Sequence, residues 1–232
     1  MNIYAIGDLH LSGTPPTKPM TIFGQHWENH WSKIKASWLA QVQAEDTVIL
    51  CGDTSWAMHL TTALADLTAI SDLPGQKIIL RGNHDYWWST LKKLQTQTQG
   101  TLAFLQNNFY ASGQTAICGT RGWNLPLAPD FTSEDFTIYQ RECLRLENSL
   151  QQAQAAGYQK IIVALHYPPL YNKQDDSMFA QLCTRYRVHT CVFGHIHGED
   201  STQVFQGELN GTTYRLVSAD TVAFQLQLLP HL

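Results

Sequence analysis

A short apolar run, Lys77-Ile78-Ile79-Leu80, leads directly into the polar sequence Arg81-Gly82-Asn83-His84-Asp85. Runs this short, with β-branched residues at their centre, are typical of strands that are buried on both faces. The glycine permits a tight turn, which presents adjacent side chains that are suited to metal binding. This stretch therefore predicts a buried strand whose carboxyl end carries part of a functional site.

The same arrangement recurs four more times along the chain. The apolar runs are 3–6, 47–51, 161–165 and 190–193, and they end in Gly7-Asp8-Leu9-His10, Gly52-Asp53-Thr54, His166 and Gly194-His195-Ile196-His197. Any one of these clusters alone is more often ordinary turn chemistry than a ligand set. Because the carboxyl ends of parallel strands meet in one crevice, we expect the five clusters to lie together.

Amphipathic segments between the runs predict helices. Apolar residues recur at helical spacing in three stripes, which we interpret as core faces: Trp27-Trp31-Ile34-Trp38-Val42, Leu60-Leu64-Leu67-Ile70 and Phe136-Tyr139-Cys143-Leu146-Leu150. Thr132 and Asp135 predict a capping box for the third helix, which ends near Gly157. After residue 198 the pattern predicts strands alone, over 202–208, 212–217 and 222–229, with a hairpin at Asn210-Gly211. This order favours a layered α/β protein.

Composition excludes several classes of protein. The 15 Lys and Arg residues against 19 Asp and Glu residues give a formal charge of −4, which argues against a nucleic-acid coat or a membrane-surface binder. The 232 residues, 44% of them hydrophobic, favour a single globular domain over 1–232. We expect no signal peptide, because the chain opens on a strand, and no transmembrane segment, because 94–120 is rich in amides. Five cysteines without a CxxC pair predict free thiols in the core and a cytoplasmic location.

The strand-end clusters offer imidazole nitrogens and hard oxygens. This mixture suits Mn, Fe, Zn, Ni or Co rather than a zinc finger or a calcium cage. The number of donors suggests two metal ions. A pair of ions roughly 3.5 to 4 Å apart can hold a hydroxide between them and accept both oxygens of an in-line displacement at phosphorus.

The motif set resembles that of the calcineurin-like metallophosphoesterases, whose pattern is D-x-H, G-D, G-N-H-[D/E], H and G-H-x-H. Every element is present here between residues 8 and 197. The resemblance implies a four-layer αββα sandwich with two mixed β-sheets and a dinuclear metal site at the carboxyl ends of the strands. It also implies two ligand sets, with manganese the favoured ion: Asp8, His10, Asp53 and His197 for one ion, and Asp53, Asn83, His166 and His195 for the other. Asp53 would be the bridge.

The resemblance implies catalytic roles as well. His84 would stabilise or protonate the leaving oxygen, and Asp85 would accept a hydrogen bond from its ring. The Ser/Thr protein phosphatases differ, because Leu11, Trp56 and Asp85 stand where those enzymes have other residues. The motifs look more like the branch that contains class III cyclic-nucleotide phosphodiesterases and many uncharacterised bacterial phosphoesterases.

The function that follows is hydrolysis of a small phosphate ester by attack of a metal-bridged hydroxide, with a diester favoured by the resemblance alone. Arg81 and Arg121 are candidates for binding the phosphate. Aromatic residues at 86–88 and 167 are interpreted as packing rather than as platforms for a base. The alternatives are a metal-binding scaffold that recruits a protein partner through exposed tryptophans, and a nuclease, which needs a basic groove. The complete ligand set favours catalysis, and the loop 12–19 is expected to lie over the site.

Overall fold

The computed structural model describes residues 1–127 and 130–230, and two β-sheets form its centre. In the first sheet the spatial order is β11-β1-β2-β3-β4, where the strands are β1 (Ile3–Ile6), β2 (Thr47–Leu50), β3 (Gln76–Leu80), β4 (Ala103–Leu105) and β11 (Gln227–Leu228). Strands β1 to β4 are parallel, and β11 pairs antiparallel with β1. This sheet is therefore mixed.

The second sheet has the spatial order β5-β6-β7-β8-β10-β9. Its strands are β5 (Phe109–Ser112), β6 (Thr115–Thr120), β7 (Lys160–Leu165), β8 (Thr190–Phe193), β9 (Gly207–Leu209) and β10 (Thr212–Leu216). The four central strands run parallel, and β5 and β9 are antiparallel at the two edges. Parallel strands bring their carboxyl ends to one edge of a sheet, which is the edge that carries the polar clusters.

Helices cover the outer face of each sheet. Those on the first sheet are α1 (His30–Gln41), α2 (Leu60–Ser71) and α3 (Leu91–Gln97), and those on the second are α4 (Ser133–Ala155) and α5 (Met178–Arg185). Short 3-10 turns occur at Met20–Phe23, Gln25–Trp27 and Gly198–Gln203. The predicted capping box is present, since Thr132 and Asp135 cap each other's backbone at the start of α4.

The burial pattern of the strands defines four layers. In β1, Tyr4 and Ile6 pack against the helices, whereas Ala5 belongs to a separate core. That separate core joins residues of the first sheet, such as Ile49, to residues of the second sheet, such as Ile162. The two sheets therefore face each other with helices outside, and the predicted αββα sandwich is confirmed.

Two predictions about the helices are wrong, one on where α1 begins and one on the burial of Phe136 in α4. Trp27 is not part of α1, which begins at His30, because Asn29 adopts a left-handed backbone conformation with φ 54° and so interrupts the stripe. Trp27 and Trp38 are nevertheless buried core residues and Trp31 is partly buried against the same core, so these three tryptophans do not form an exposed docking patch. Phe136 lies on α4 as predicted, but its side chain is 46% exposed and does not belong to the core.

The C-terminal prediction of strands alone is also wrong in part. The hairpin at Asn210-Gly211 joins β9 and β10, but most of 202–208 is 3-10 turn or loop. Most of 222–229 is turn or loop, and only Gln227–Leu228 forms a strand, in the other sheet. Ala223 and Phe224 have left-handed backbone angles, with φ of 51° and 60°, which a continuous strand excludes.

The five cysteines are free thiols that are buried in the cores, as predicted. Among the described residues, no helix combines the length and the apolar character that a membrane span requires.

Candidate metal centre

The predicted ligands converge where the two sheets meet. Asp8, Asp53 and Asn83 follow β1, β2 and β3 of the first sheet, and His166 and His195 follow β7 and β8 of the second. The ends of the two sheets are tied together, since the Gly7 amide donates to the Val217 carbonyl at 2.7 Å, just beyond β10. Side chains that are far apart in the sequence therefore share one pocket.

Four of the predicted ligands have unusual backbone conformations. Asp8, His10, Asp53 and His195 all lie in the left-handed region, with φ of 59°, 47°, 50° and 75°. Residues with a side chain avoid this region, and strained backbone persists where the surrounding structure holds it in place, often at functional sites. Hydrogen bonds supply that support here, because the Asp8 amide donates to Gly52 O and the His10 amide donates to Asp53 O, each at 2.9 Å.

Two glycines make room for the ligand carboxylates. A Cβ atom on Gly82 would lie 2.0 Å from Asp53 Oδ1, and a Cβ atom on Gly194 would lie 2.5 Å from Asp8 Oδ2. These distances are far inside van der Waals contact, so only glycine fits at either position. The Gly-Asn-His-Asp and Gly-His-Ile-His motifs therefore need their glycines because the aspartates occupy that space.

The donor atoms form two overlapping groups. Asp8, His10 and His197 offer ligand atoms that all lie within 4.8 Å of one another, and so do Asp8, Asp53 and His166. The two remaining predicted ligands lie beside the second group: Asn83 Oδ1 is 2.7 Å from His166 Nε2, and the His195 and His166 ring centroids are 5.0 Å apart. All seven predicted ligands are thus brought together.

Two carboxylates stand between the groups. Asp8 belongs to both by distance, while Asp53 Oδ2 lies 3.8 Å from His10 Nε2 and 3.6 Å from His166 Nε2. The position of Asp53 is compatible with the bridging role expected from the sequence. Asp8 has a comparable position, which the sequence motif does not reveal.

Hydrogen bonds orient two of the imidazoles toward the centre. His166 Nδ1 donates to the Cys51 carbonyl at 2.9 Å, and His197 Nδ1 donates to Asp220 Oδ1 at 2.8 Å. In a neutral ring this leaves the lone pair of Nε2 directed at the carboxylates and available to a metal ion. Burial opposes protonation of His197, but Asp8 and Asp220 raise its pKa to about 10, so in the metal-free protein a metal ion would displace a proton from this ring. Asp220 also accepts from the Gly198 amide, so it holds both His197 and the backbone that follows.

The residues present fit a cation. Asp8 Oδ1 and His10 Nδ1 are buried without a hydrogen-bond partner, and the lone pairs of Asn83 Oδ1 and His166 Nε2 face each other at 2.7 Å. Burial and the negative charge of Asp8 raise the pKa of Asp53 to about 8. Burial opposes ionisation of Asp8 as well, but the nearby charges of His197, His166 and His10 hold the pKa of Asp8 below its usual range. A bound cation would relieve the repulsion between these donors.

His84 lies beside the ligand groups rather than within them. Its amide donates to Asp53 Oδ1 at 2.8 Å, and its ring centroid is 4.5 Å from that of Trp56 and 6.0 Å from that of His10. Burial, together with the charges of His166 and Lys18, lowers the pKa of His84. The neutral ring still carries one N–H group that can donate a hydrogen bond.

Asp85 has a different partner from the one expected. Its Oδ1 accepts from the amides of Thr54 and Ser55 and from Trp87 Nε1, and its Oδ2 accepts from the Gly82 amide at 2.7 Å. Both carboxylate oxygens are thus used to hold the two ligand loops together, where the sequence predicted a bond from the His84 ring. Trp87 is a buried packing residue, as interpreted from the sequence, whereas Tyr86, interpreted in the same way, is 52% exposed.

The two arginines lie near the centre, but neither lines the cavity beside the ligands in the described part of the chain. Arg121 is paired with Glu142 at 3.8 Å, and its guanidinium group lies 4.3 Å from the centroid of the Trp123 ring. Its carbonyl accepts from the amides of His166 and Tyr167. Arg81 and Arg121 each have a buried Nε without a hydrogen-bond partner.

A cavity of about 310 Å³ opens directly onto the ligands. Its lining combines His10, Asp53, His84, His195, His197, Gly198 and Asp220 with Met20, Phe23, His26, Trp27 and Trp56. The residues 20–27 in this lining follow the predicted loop 12–19 along the chain, and no residue of 12–19 itself lines the cavity.

A family model described as calcineurin-like phosphoesterase matches residues 1–199. The chain belongs to the calcineurin-like phosphoesterase family. This phosphoesterase is therefore a hydrolase of phosphate ester bonds that depends on metal ions. The comparison with curated proteins finds no match.

Among solved structures, a protein of unknown function, AQ665 from Aquifex aeolicus, has the same fold, with 14% identity, a TM-score of 0.52 and coverage of 98% of this chain and 95% of that one. The sulfate thiohydrolase SoxB from Thermus thermophilus is similar at 14% identity and TM-score 0.46, with coverage of 99% of this chain and 56% of that one. The calcineurin-like phosphoesterase YfkN from Bacillus subtilis is similar at 12% identity and TM-score 0.48, with coverage of 93% of this chain and 80% of that one.

Sequence reasoning missed two residues of the phosphoesterase site. Asp220 follows β10 shortly after Val217, so it obeys the same rule of polar residues at strand ends that identified the other clusters. In the sequence, Trp56 is notable only because the Ser/Thr protein phosphatases have a different residue at its position. Its contact with His10, at 4.6 Å between ring centroids and 19° between planes, depends on the fold.

We predict that Asp220→Asn weakens metal binding. The amide is a poorer acceptor for His197 Nδ1–H, and loss of such a partner costs roughly 10- to 100-fold in metal affinity. Titration of the chelator-treated protein with Mn²⁺ measures the change. Asp200→Asn, an exposed carboxylate on the neighbouring turn, is the matched control. Equal affinities for both variants would contradict the assigned role of Asp220.

We also predict a pH-dependent stability difference for the metal-free protein. The folded-state pKa of Asp53, about 8, lies above its ordinary value of 3.8, so its contribution to stability falls as the pH rises between these values. An asparagine cannot ionise. The free energy of unfolding of Asp53→Asn, minus that of the unsubstituted protein, should therefore increase from about pH 6 to about pH 9. Urea denaturation with chelator present measures it, and a difference that stays constant with pH would refute the expectation.

Proposed function

We propose that this phosphoesterase hydrolyses a small phosphate ester, with a diester as the favoured substrate. The observation that carries the proposal is the cavity of about 310 Å³ that opens onto the converged aspartates and histidines. No lysine or arginine lines this cavity in the described part of the chain. The single negative charge of a diester therefore suits it better than a more highly charged group does.

Two metal ions belong to the proposal. Asp8, His10, Asp53 and His197 would hold one ion, and Asp53, Asn83, His166 and His195 the other, with manganese favoured over iron, zinc, nickel or cobalt. When bound, such ions polarise the phosphoryl group and lower the pKa of a water molecule, which supplies the nucleophile. His166 and His197 enter as neutral ligands through Nε2, because their Nδ1 atoms are engaged elsewhere.

His84 is proposed as the group that assists the leaving oxygen. Its ring borders the cavity without belonging to either donor group. Because the ring rests against Trp56, its N–H group has a restricted set of directions. Donation of this hydrogen bond to the leaving oxygen stabilises the negative charge that develops there.

Three other residues have supporting roles in the proposed hydrolysis, namely Asp85, Arg81 and Arg121. Asp85 is a positioning residue, because its four hydrogen bonds hold the loops that carry Asp53 and Asn83. Arg81 does not line the cavity, but it forms no ion pair among the described residues, so it is the better of the two candidates for contact with a substrate oxygen. Arg121 is occupied by Glu142 and Trp123, so its proposed role is to hold the backbone of His166.

The two alternative functions, a metal-binding scaffold and a nuclease, have less support. A scaffold role needed an exposed tryptophan patch, and Trp27 and Trp38 are buried. A nuclease needs a basic groove, whereas the lining of this cavity is aromatic and acidic. A cytoplasmic location is part of the proposal and is supported by the five free cysteines.

The proposed preference is tested with two chromogenic esters. We expect the Mn²⁺-loaded protein to hydrolyse bis-p-nitrophenyl phosphate with a higher kcat/KM than p-nitrophenyl phosphate. A higher value for the monoester would redirect the proposal to phosphomonoesters. Turnover of neither ester by protein with two bound ions would favour the scaffold reading.

We predict that His84→Asn lowers kcat for an ester with a poor leaving group by roughly 100- to 10,000-fold, the range typical for loss of acid–base assistance. A good leaving group should be affected less, because it needs less help. Metal content, measured by elemental analysis, should stay the same. His59→Asn, an exposed histidine near the start of α2, is the matched control. Equal losses with good and poor leaving groups would rule out this role for His84.

A further inference from the structure

The part of the cavity lining that the segment 20–27 and Trp56 supply is built almost entirely of aromatic rings. It consists of Met20, Phe23, His26, Trp27 and Trp56. Leucine, isoleucine and valine are missing from the cavity lining among the described residues. We call these five residues the aromatic wall. Its composition differs from that of a pocket for an alkyl chain, which aliphatic side chains usually line.

Most of the aromatic wall is held in place from behind. Trp27 is buried, and its ring packs against Phe224 at 5.2 Å and against the ligand His197 at 5.8 Å, measured between centroids. Trp56 stacks on the ligand His10, and its Nε1 donates to Met20 Sδ at 3.2 Å. The aromatic wall is therefore fixed relative to the metal ligands. A phosphoryl group at the ligands and an organic group at the wall would have defined positions relative to each other.

Phe23 and His26 are the rings of the wall that remain exposed, and Phe23 is the apolar one. The indole of Trp56 is already in contact with the His10 ring and with Lys18 Nζ, which lies 3.1 Å from its centroid. Phe23 is 54% exposed, although it sits between the buried anchors Met20 and Trp27. Its ring plane is within 13° of that of Trp56, with the centroids 6.5 Å apart. An exposed ring that is held in a cavity wall beside a metal centre offers a stacking surface to a ligand.

We propose that the aromatic wall is a subsite for a flat aromatic group on the phosphate ester, with Phe23 as the main specificity-determining residue. The inference rests on the proposed function in one respect, namely that the phosphoryl group binds at the metal ligands. The volume of about 310 Å³ is at the lower end of the range for ligand pockets and suits a phosphoryl group with one small organic group. An aryl ring and a nucleobase share the required chemistry, and both stack on a phenyl ring.

Binding of phosphonates tests the subsite without any turnover. The probes are phenylphosphonate and cyclohexylphosphonate, which present a flat and a puckered ring of similar size to the same Mn²⁺-loaded protein. Calorimetry should give a Kd about fivefold lower for phenylphosphonate, the size expected for one stacking contact. Phe23→Leu should bring the two Kd values together. Phe136→Leu, which removes an equally exposed ring from α4, is the matched control and should preserve the difference.

Each outcome bears on the inference. Equal Kd values for the two phosphonates overturn it, and so does a difference that survives in Phe23→Leu. If inorganic phosphate binds while the two phosphonates do not differ, the subsite fails and the proposed function stands. If neither phosphate nor phosphonate binds, both fail. Tighter binding of adenosine 5′-phosphate than of ribose 5-phosphate, lost in Phe23→Leu, would support the subsite and identify a nucleobase as the aromatic group.

Discussion

The repulsion between the buried carboxylates of Asp8 and Asp53 is the constraint on which the rest of the site depends. Two negative groups this close together, with imidazole lone pairs around them, are unfavourable in a protein interior without a cation. The surrounding structure nevertheless holds them there. Gly82 and Gly194 leave the space that the carboxylates fill, and hydrogen bonds from the backbone keep both aspartates in a left-handed conformation. The energy that is stored in this arrangement is available to bind metal ions.

The two sheets produce that arrangement by dividing the ligands between them. The first sheet supplies the carboxylates and Asn83, and the second sheet supplies His166, His195 and His197. Neither sheet alone has a complete set of donors. The central core, where residues such as Ile49 and Ile162 pack between the sheets, therefore does more than stabilise the fold. It sets the distance between two halves of a metal centre, and close packing keeps that distance constant.

Much of the site was predictable because each ligand motif is local. A short apolar run followed by a glycine turn predicted the strand, its end and the side chains presented there, and the five runs became β1, β2, β3, β7 and β8. The C-terminal region was less predictable. Gln227–Leu228 pairs with β1 in the other sheet, and Phe224 leaves the strand conformation to pack on Trp27. Both contacts join segments that are about two hundred residues apart, so a local pattern carries no signal for them.

The sequence by itself determined the family and, through the resemblance to it, the two-sheet architecture and the seven candidate ligands, because residue type and spacing are sufficient to identify the motifs at the strand ends. Only the tertiary structure decided the supporting contacts. Asp220 orients His197, Asp85 joins two loops instead of touching His84, and Trp56 stacks on His10. These contacts depend on the direction of each side chain after the sheets have packed. That direction is set by neighbours in space, which the order of residues along the chain does not reveal.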